Sequence, residues 1–83
     1  MKNDLLKPIH PGEILLEEFL KPLSISPSQL AEEIGLPVDH VDEIVKGIRA
    51  ITSDISARLS TYFGLSERYW INIQNRYEMD MKR

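Results

Sequence analysis

The side chains of this sequence that could perform chemistry are two histidines and a group of carboxylates near the middle of the chain. A catalytic or metal-binding histidine would need a partner at helical spacing, and His10 and His40 lie in separate predicted elements without one. Asp39, Asp42 and Glu43 have helical spacing, which splays their oxygens, whereas a cation site requires oxygens that converge. These five residues therefore favour capping and surface roles over a metal or catalytic centre.

The composition excludes other types of active centre. The chain has no cysteine, which removes disulfides, thiolate metal sites and cysteine nucleophiles, and fits a reducing compartment. Its four glycines are scattered, so the sequence contains no glycine loop that could bind phosphate. A chain of 83 residues forms one domain with a thin core, which leaves no room for a large interior active site. We therefore predict a single domain over residues 1–83, no enzyme activity, no cofactor and no metal.

The charge and the N-terminal sequence indicate a weakly acidic cytoplasmic protein. The 10 basic and 13 acidic side chains give a net charge of −3, whereas strong nonspecific nucleic-acid binding usually needs a basic surplus. The acidic excess is largest between residues 26 and 50. No apolar run is long enough for a signal peptide or for a membrane span of about 20 residues, so the sequence predicts a cytoplasmic location.

The elements that must position these side chains are five short helices. Proline and glycine divide the chain into segments of about a dozen residues, none with strand-type alternation, which predicts an all-α fold. The first helix should begin at Pro11, with His10 as a poor cap, and should end at Pro22. Its apolar stripe is predicted to consist of Ile14, Leu15, Phe19 and Leu23.

The second helix has the clearest start signal in the chain. Ser26 is a capping residue, Pro27 occupies the first turn, and Gln29 completes the pattern of a capping box. Gly35 is expected to end this helix in a left-handed conformation. The expected caps of the fourth and fifth helices are Thr52 and Ser66.

Residues 26–46 have the spacing of a helix-turn-helix, whose second helix enters the major groove of DNA. Ala31 is small where the two helix axes approach, Gly35 supplies the turn, and Val41 fills the angle between the helices. A plain helical hairpin would need apolar residues but not this combination at these separations. Leu30, Ile34 and Ile44 are predicted to complete the shared core.

Four motifs resemble one family, the HigA/VapI antitoxins, which are a branch of the lambda-repressor-like (Xre-type) helix-turn-helix proteins. The motifs are HPGEIL at residues 10–15, QLAEEIG at 29–35, EIVKGIRAIT at 43–52 and YWINIQ at 69–74. The resemblance covers residues 9–78 and implies a five-helix lambda-repressor-like domain. It also implies a homodimeric antitoxin that represses its own operator and neutralises a RelE/HigB-like toxin, an mRNA endonuclease.

The resemblance further implies where DNA would be contacted. Base edges would be read by Val38, Asp39, Asp42 and Glu43. A carboxylate accepts from the cytosine amino group and valine touches the thymine methyl, but three carboxylates also repel phosphates. We therefore expect weak-to-moderate operator binding, with loss of DNA binding as the alternative, and protonated His40 would offset its acidic neighbours. The implied phosphate contacts are Ser28, Gln29, Lys46, Arg49, Thr52 and Ser53.

Trp70, Ile73 and Tyr77 recur on one face of the predicted fifth helix and have two interpretations. They are either ordinary core or part of a dimer seam, because a bundle this small has little interior for a tryptophan and interfaces favour aromatic anchors. A two-fold dimer would set two recognition helices about 34 Å apart, one turn of DNA.

Two other functions stay open beside the antitoxin. One is a stand-alone Xre-type transcriptional regulator without a toxin. The other is a protein-interaction module whose acidic third helix no longer binds DNA. Neither the operator sequence nor the toxin-binding surface is predicted by the sequence.

Overall fold

The structure is a computed structural model and describes residues 8–82. Five helices follow one another along this part of the chain. Helix α1 consists of three consecutive segments, Pro11–Ile14, Leu15–Leu20 and Lys21–Leu23. The others are α2 (Pro27–Ile34), α3 (Val38–Val45), α4 (Ser53–Phe63) and α5 (Tyr69–Met81). These residues contain no strand, so the predicted all-α fold is confirmed. None of these helices has the length and apolar character needed to cross a bilayer.

All five helices and the loop before α4 contribute to one hydrophobic core. Burying a side chain of leucine size contributes about 1.5–3 kcal/mol to folding, so a cluster of this size is the main source of stability. The predicted shared core of α2 and α3 is confirmed, since each of its members is buried. The buried apolar residues are Leu15, Leu20, Leu30, Ala31, Ile34, Val41, Ile44, Ile51, Ile55, Leu59 and Trp70.

The middle of α1, Leu15–Leu20, is π-helical, and it changes which residues of α1 face the core. The Lys21 N–H bonds the Leu16 carbonyl five residues earlier. Such bonding brings residues five apart onto one face, whereas in an α-helix they lie about 140° apart. Leu15 and Leu20 are therefore both buried, while Leu23 is 56% exposed. The prediction that Leu23 belongs to the apolar stripe is wrong, because it assumed a uniform α-helical pitch.

The helix ends show which capping predictions hold. Ser26 Oγ accepts from the Gln29 N–H at 3.0 Å and Thr52 Oγ1 accepts from the Ile55 N–H at 3.3 Å, so both predicted caps are confirmed. The prediction that Ser66 caps the fifth helix is wrong, because α5 begins at Tyr69 without a side-chain cap and the Ser66 hydroxyl accepts from the Arg68 N–H in the preceding turn.

His10 was predicted to be a poor cap for α1, and this prediction is wrong. Its Nδ1 accepts a hydrogen bond from the Gly12 N–H at 2.9 Å. The imidazole also packs edge-on against the Tyr77 ring, with the ring centres 4.9 Å apart. Burial in this position lowers the pKa of His10, because desolvation disfavours the charged imidazole.

Trp70 belongs to the core of its own chain. It is 0% exposed and packs against Phe19 and Tyr69, with ring centres 5.0 and 5.1 Å away. The prediction that Trp70 forms part of a dimer seam is therefore wrong, since a side chain without accessible surface cannot contact a second copy. Ile73 and Tyr77 are half-buried and keep some accessible surface, so their place in a dimer seam stays a prediction.

Candidate nucleic-acid interface

Helices α2 and α3 are joined by a tight turn at Gly35. This glycine has φ +74°, a conformation that costs other residues energy, and the Leu36 N–H bonds the Ala31 carbonyl at 3.0 Å. Ala31 and Val41 are both buried at the junction, as their predicted roles require. The left-handed turn predicted at Gly35 is confirmed, and it sets the angle at which α3 leaves α2.

Arg58 of α4 fixes this turn from behind. Its Nη1 donates to the carbonyls of Ile34 and Gly35, at 2.7 and 3.3 Å, and its Nε donates to Asp54 Oδ2 at 2.9 Å. These carbonyls lie at the end of α2, where they lack partners within the helix and where positive charge is favourable. Sequence reasoning missed Arg58. The only local signal was its spacing from Asp54, which indicates a surface ion pair and says nothing of α2.

The beginning of α1 lies directly against the end of α3. A Cβ added to Gly12 would stand 1.6 Å from the Ile44 carbonyl oxygen, so no residue with a side chain fits this approach. Gly12 and Pro11 are buried there. The HPGE motif at residues 10–13 therefore has a structural explanation, since it caps α1 and lets α1 support α3.

Two buried polar side chains hold the segments that follow α3. Gln74 is 3% exposed; its Oε1 accepts from the Ile51 N–H at 2.8 Å, and its Nε2 donates to Glu78 at 2.9 Å. The Ser56 hydroxyl donates to the Glu67 carbonyl and accepts from the Ile71 N–H. These bonds fix the loop before α4 and the turn before α5. No sequence pattern predicts the bonds to Ile51, Glu67 and Ile71, because the bonded residues lie 11 to 23 positions apart.

The predicted DNA-contacting side chains all keep accessible surface. Val38, the one apolar member of the set, is 41% exposed. Asp39 lies in the first turn of α3, which has no side-chain cap, so its carboxylate also stabilises the start of that helix. The exposed members of the set are Ser28, Gln29, Val38, Asp39, Lys46, Thr52 and Ser53. The half-buried members are His40, Asp42, Glu43 and Arg49.

Among these side chains, the structure joins one pair. Arg49 Nε donates to Glu43 Oε1 at 2.7 Å. The resemblance implied a base contact for Glu43 and a phosphate contact for Arg49. Within residues 8–82, Asp39 and Asp42 form no salt bridge. The negative charge of the surface is therefore reduced by one carboxylate, and two carboxylates on α3 stay unneutralised.

A groove of about 450 Å³ adjoins Arg49 between the start of α1, the loop after α3 and the last turns of α5. It contains the two half-buried rings of His10 and Tyr77. Ile48 and Met81, which are 72% and 57% exposed, lie on its walls. Part of this surface is therefore apolar and lies beside the candidate DNA-binding face.

Neither histidine belongs to a metal centre in the described part of the chain. His10 caps α1 and His40 lies in α3. Within residues 8–82 no three His, Cys, Asp or Glu side chains are grouped so that they could hold a metal ion.

This geometry defines the class of protein, which is a small helix-turn-helix DNA-binding protein. The sequence profile of the Helix-turn-helix family matches residues 16–70, which include α2, α3 and α4. The chain belongs to this family, and the family consists of DNA-binding regulators and antitoxins, not of enzymes.

The relatives narrow the class to regulators of the HigA antitoxin type. Virulence-associated protein I of Dichelobacter nodosus is 42% identical over 80 residues, which are 96% of this chain and 73% of that protein. The antitoxin HigA of Pseudomonas aeruginosa, solved with the higBA promoter, has 41% identity and a TM-score of 0.89, covering 92% of this chain and 83% of that one. An addiction module antidote protein of the HigA family from Coxiella burnetii has 42% identity and a TM-score of 0.84, covering 89% and 80%. The resemblance to HigA/VapI antitoxins that the motifs indicated is confirmed.

Proposed function

We propose that this protein is a homodimeric antitoxin that represses its own promoter and neutralises a RelE/HigB-like mRNA-endonuclease toxin. The observation that carries the proposal is the likeness to an antitoxin HigA that was solved on promoter DNA, at 41% identity and a TM-score of 0.89. It would act in the cytoplasm, because the named relatives are bacterial and bacterial DNA lies there.

The exposed side of the helix-turn-helix is the proposed DNA contact. Val38, Asp39 and Asp42 face outward from α3 while Val41 and Ile44 face the core, so the first three are the candidates for base reading. His40 lies among them. The proposed phosphate contacts are Ser28, Gln29, Lys46, Arg49, Thr52 and Ser53.

The proposed dimer uses the apolar groove beside the DNA-binding face. Ile48 and Met81 expose large apolar surfaces there, and Tyr77 forms part of the groove. Ile73 lies one turn before Tyr77 on α5 and completes the proposed seam. A two-fold axis at this groove would bring two α3 helices to one side, and matching successive major grooves requires about 34 Å between them.

Promoter binding is the first test. Fluorescence anisotropy would compare the protein's own promoter with a scrambled duplex, at about 50 and about 200 mM salt. Lys46 and Arg49 supply two cations per subunit, so a dimer should lose about 100-fold in affinity over this range. Preference for the promoter with this salt dependence supports the repressor. Equal weak binding to both duplexes would favour the protein-interaction module.

The toxin is tested separately. The small protein encoded beside this gene would be purified, and mRNA cleavage on ribosomes would be followed with and without one equivalent of the proposed antitoxin. Inhibition together with co-purification supports neutralisation. Promoter binding without either result would leave a stand-alone regulator.

A further inference from the structure

The bond between Glu43 and Arg49 joins the end of α3 to the loop beyond it. Glu43 lies in the second half of α3, and Arg49 follows six residues later, after the left-handed turn at Gly47. The loop between α3 and α4 contains no helix of its own, and both side chains are partly exposed. An arginine in such a loop has many accessible rotamers, and the contact with the carboxylate selects among them.

The atom that Glu43 contacts leaves most of the guanidinium free. Of the three guanidinium nitrogens of Arg49, Nε alone donates to Glu43 Oε1, at 2.7 Å. Within residues 8–82 the two Nη atoms make no hydrogen bond. A guanidinium has five N–H donors in one plane, so fixing the Nε edge also fixes the plane that carries the other four. Those donors suit the bidentate recognition of a phosphate.

We propose that Glu43 is a positioning residue, which orients Arg49 toward a phosphate of the DNA backbone and does not read a base. The proposal rests on the DNA binding proposed above and replaces the base-reading role that the sequence suggested for Glu43. It also explains why a carboxylate lies beside the DNA, which is a polyanion. The Glu43 carboxylate binds the Nε edge of Arg49 and thereby orients the Nη donors that would contact the phosphate.

Substitutions separate positioning from base reading and from simple repulsion. Glu43→Ala removes the acceptor, whereas Glu43→Gln keeps an acceptor oxygen and removes the charge. If Glu43 positions Arg49, Glu43→Ala weakens binding about threefold on promoter and scrambled duplexes alike, a size typical of an exposed ion pair. Glu43→Gln should stay close to wild type. In an Arg49→Ala background, Glu43→Ala should have no effect.

Other results would overturn the proposal. If both Glu43 variants strengthen binding, the carboxylate only repels phosphates. If Glu43→Ala changes the preferred base at one operator position, it reads that base. Glu33→Ala, which removes an exposed carboxylate from α2, controls for net charge, and circular dichroism melting of each variant controls for folding.

Failure of the proposed function is distinguishable from failure of this inference. Loss of promoter preference in the wild-type protein would refute operator recognition. The coupling between Glu43 and Arg49 affects a contact with the DNA backbone, which every duplex has. It can therefore be measured from the affinity for a nonspecific duplex as well. Identical effects of Glu43→Ala with and without Arg49 would refute positioning even if the operator is recognised.

Discussion

The back of the helix-turn-helix and its exposed front use polar side chains in opposite ways. At the back, Arg58 bonds carbonyls at the end of α2, and Gln74 bonds the backbone of the loop before α4. At the front, Glu43 and Arg49 bond each other, and Asp39 and Asp42 form no salt bridge within residues 8–82. Polar groups at the back therefore fix the backbone, whereas Asp39, Asp42 and the Nη atoms of Arg49 at the front stay available for a partner.

This difference separates two kinds of information in one small domain. The orientation of α3 is set by contacts that do not involve its exposed face. Substitutions on that face can therefore change what the helix recognises without changing the orientation of α3. Substitutions at the back should change stability. Substitutions at front positions that neither cap a helix nor lie in the first turn of α3, such as Lys46, should change DNA affinity at constant stability.

Gly12→Ala should give the largest effect. The new Cβ would overlap the Ile44 carbonyl oxygen, so α1 must move away from α3, and we expect a loss of about 3 kcal/mol or more in unfolding free energy. Urea denaturation measures this loss. Gly64→Ala is the matched control: it has φ +72° but no atom within 4 Å of the new Cβ, so it should cost only about 1–2 kcal/mol. Equal losses for the two would contradict the close contact.

Gln74→Leu should come next. It leaves the Ile51 N–H buried without its acceptor, which typically costs about 1–3 kcal/mol. Thermal melting would be compared with that of Glu78→Ala, which removes only the exposed partner of Gln74 and should change stability by less than about 0.5 kcal/mol. If Gln74→Leu melts like Glu78→Ala, Gln74 does not hold the loop.

Ser26→Ala and Ser28→Ala sharpen the comparison within a single helical turn. Loss of the Ser26 cap should lower the unfolding free energy by about 1 kcal/mol. Ser28 is exposed, so its removal should leave stability within about 0.5 kcal/mol and weaken only DNA binding. Denaturation and anisotropy on both variants measure the two effects. A stability loss at Ser28 equal to that at Ser26 would contradict the assignment of Ser28 to DNA binding alone.

The smallest effect is expected from pH. Burial lowers the pKa of His10 in the folded chain, so the unfolded chain binds this proton more readily, and stability should fall as pH decreases below 6.5. Protonation also removes the Nδ1 acceptor for the Gly12 N–H. His10→Asn keeps a capping oxygen that does not titrate in this range, so its stability should depend less on pH. Denaturation of the wild type and of His10→Asn at pH 5.5 and pH 7.5 checks this, and an equal pH dependence of the two would contradict it.

How much the sequence revealed depends on the distance between contacting residues. The caps at Ser26 and Thr52, the turn at Gly35 and the burial of Ala31 and Val41 follow from patterns a few residues long, and all were predicted.

The features that were missed depend on longer contacts or on departures from ideal geometry. Arg58 reaches a carbonyl 24 positions away, and Gln74 reaches an amide 23 positions away. Trp70 was partly assigned to a dimer because the volume of the interior cannot be read from a single helix. Leu23 was assigned to the apolar stripe and Leu20 was left out of it, because the change of pitch in α1 was not foreseen.

The change of pitch in α1 also bears on how this chain can vary in length. Leu15 and Leu20 reach the core although they are five positions apart, whereas in an α-helix residues four positions apart share a face. The segment thus contains one residue more than a regular helix with the same two contacts. Losing the exposed Glu18 would let the segment relax to α-helical pitch with both leucines in the core and with Gly12 still against α3. A one-residue deletion at this point should therefore leave the fold of the domain unchanged.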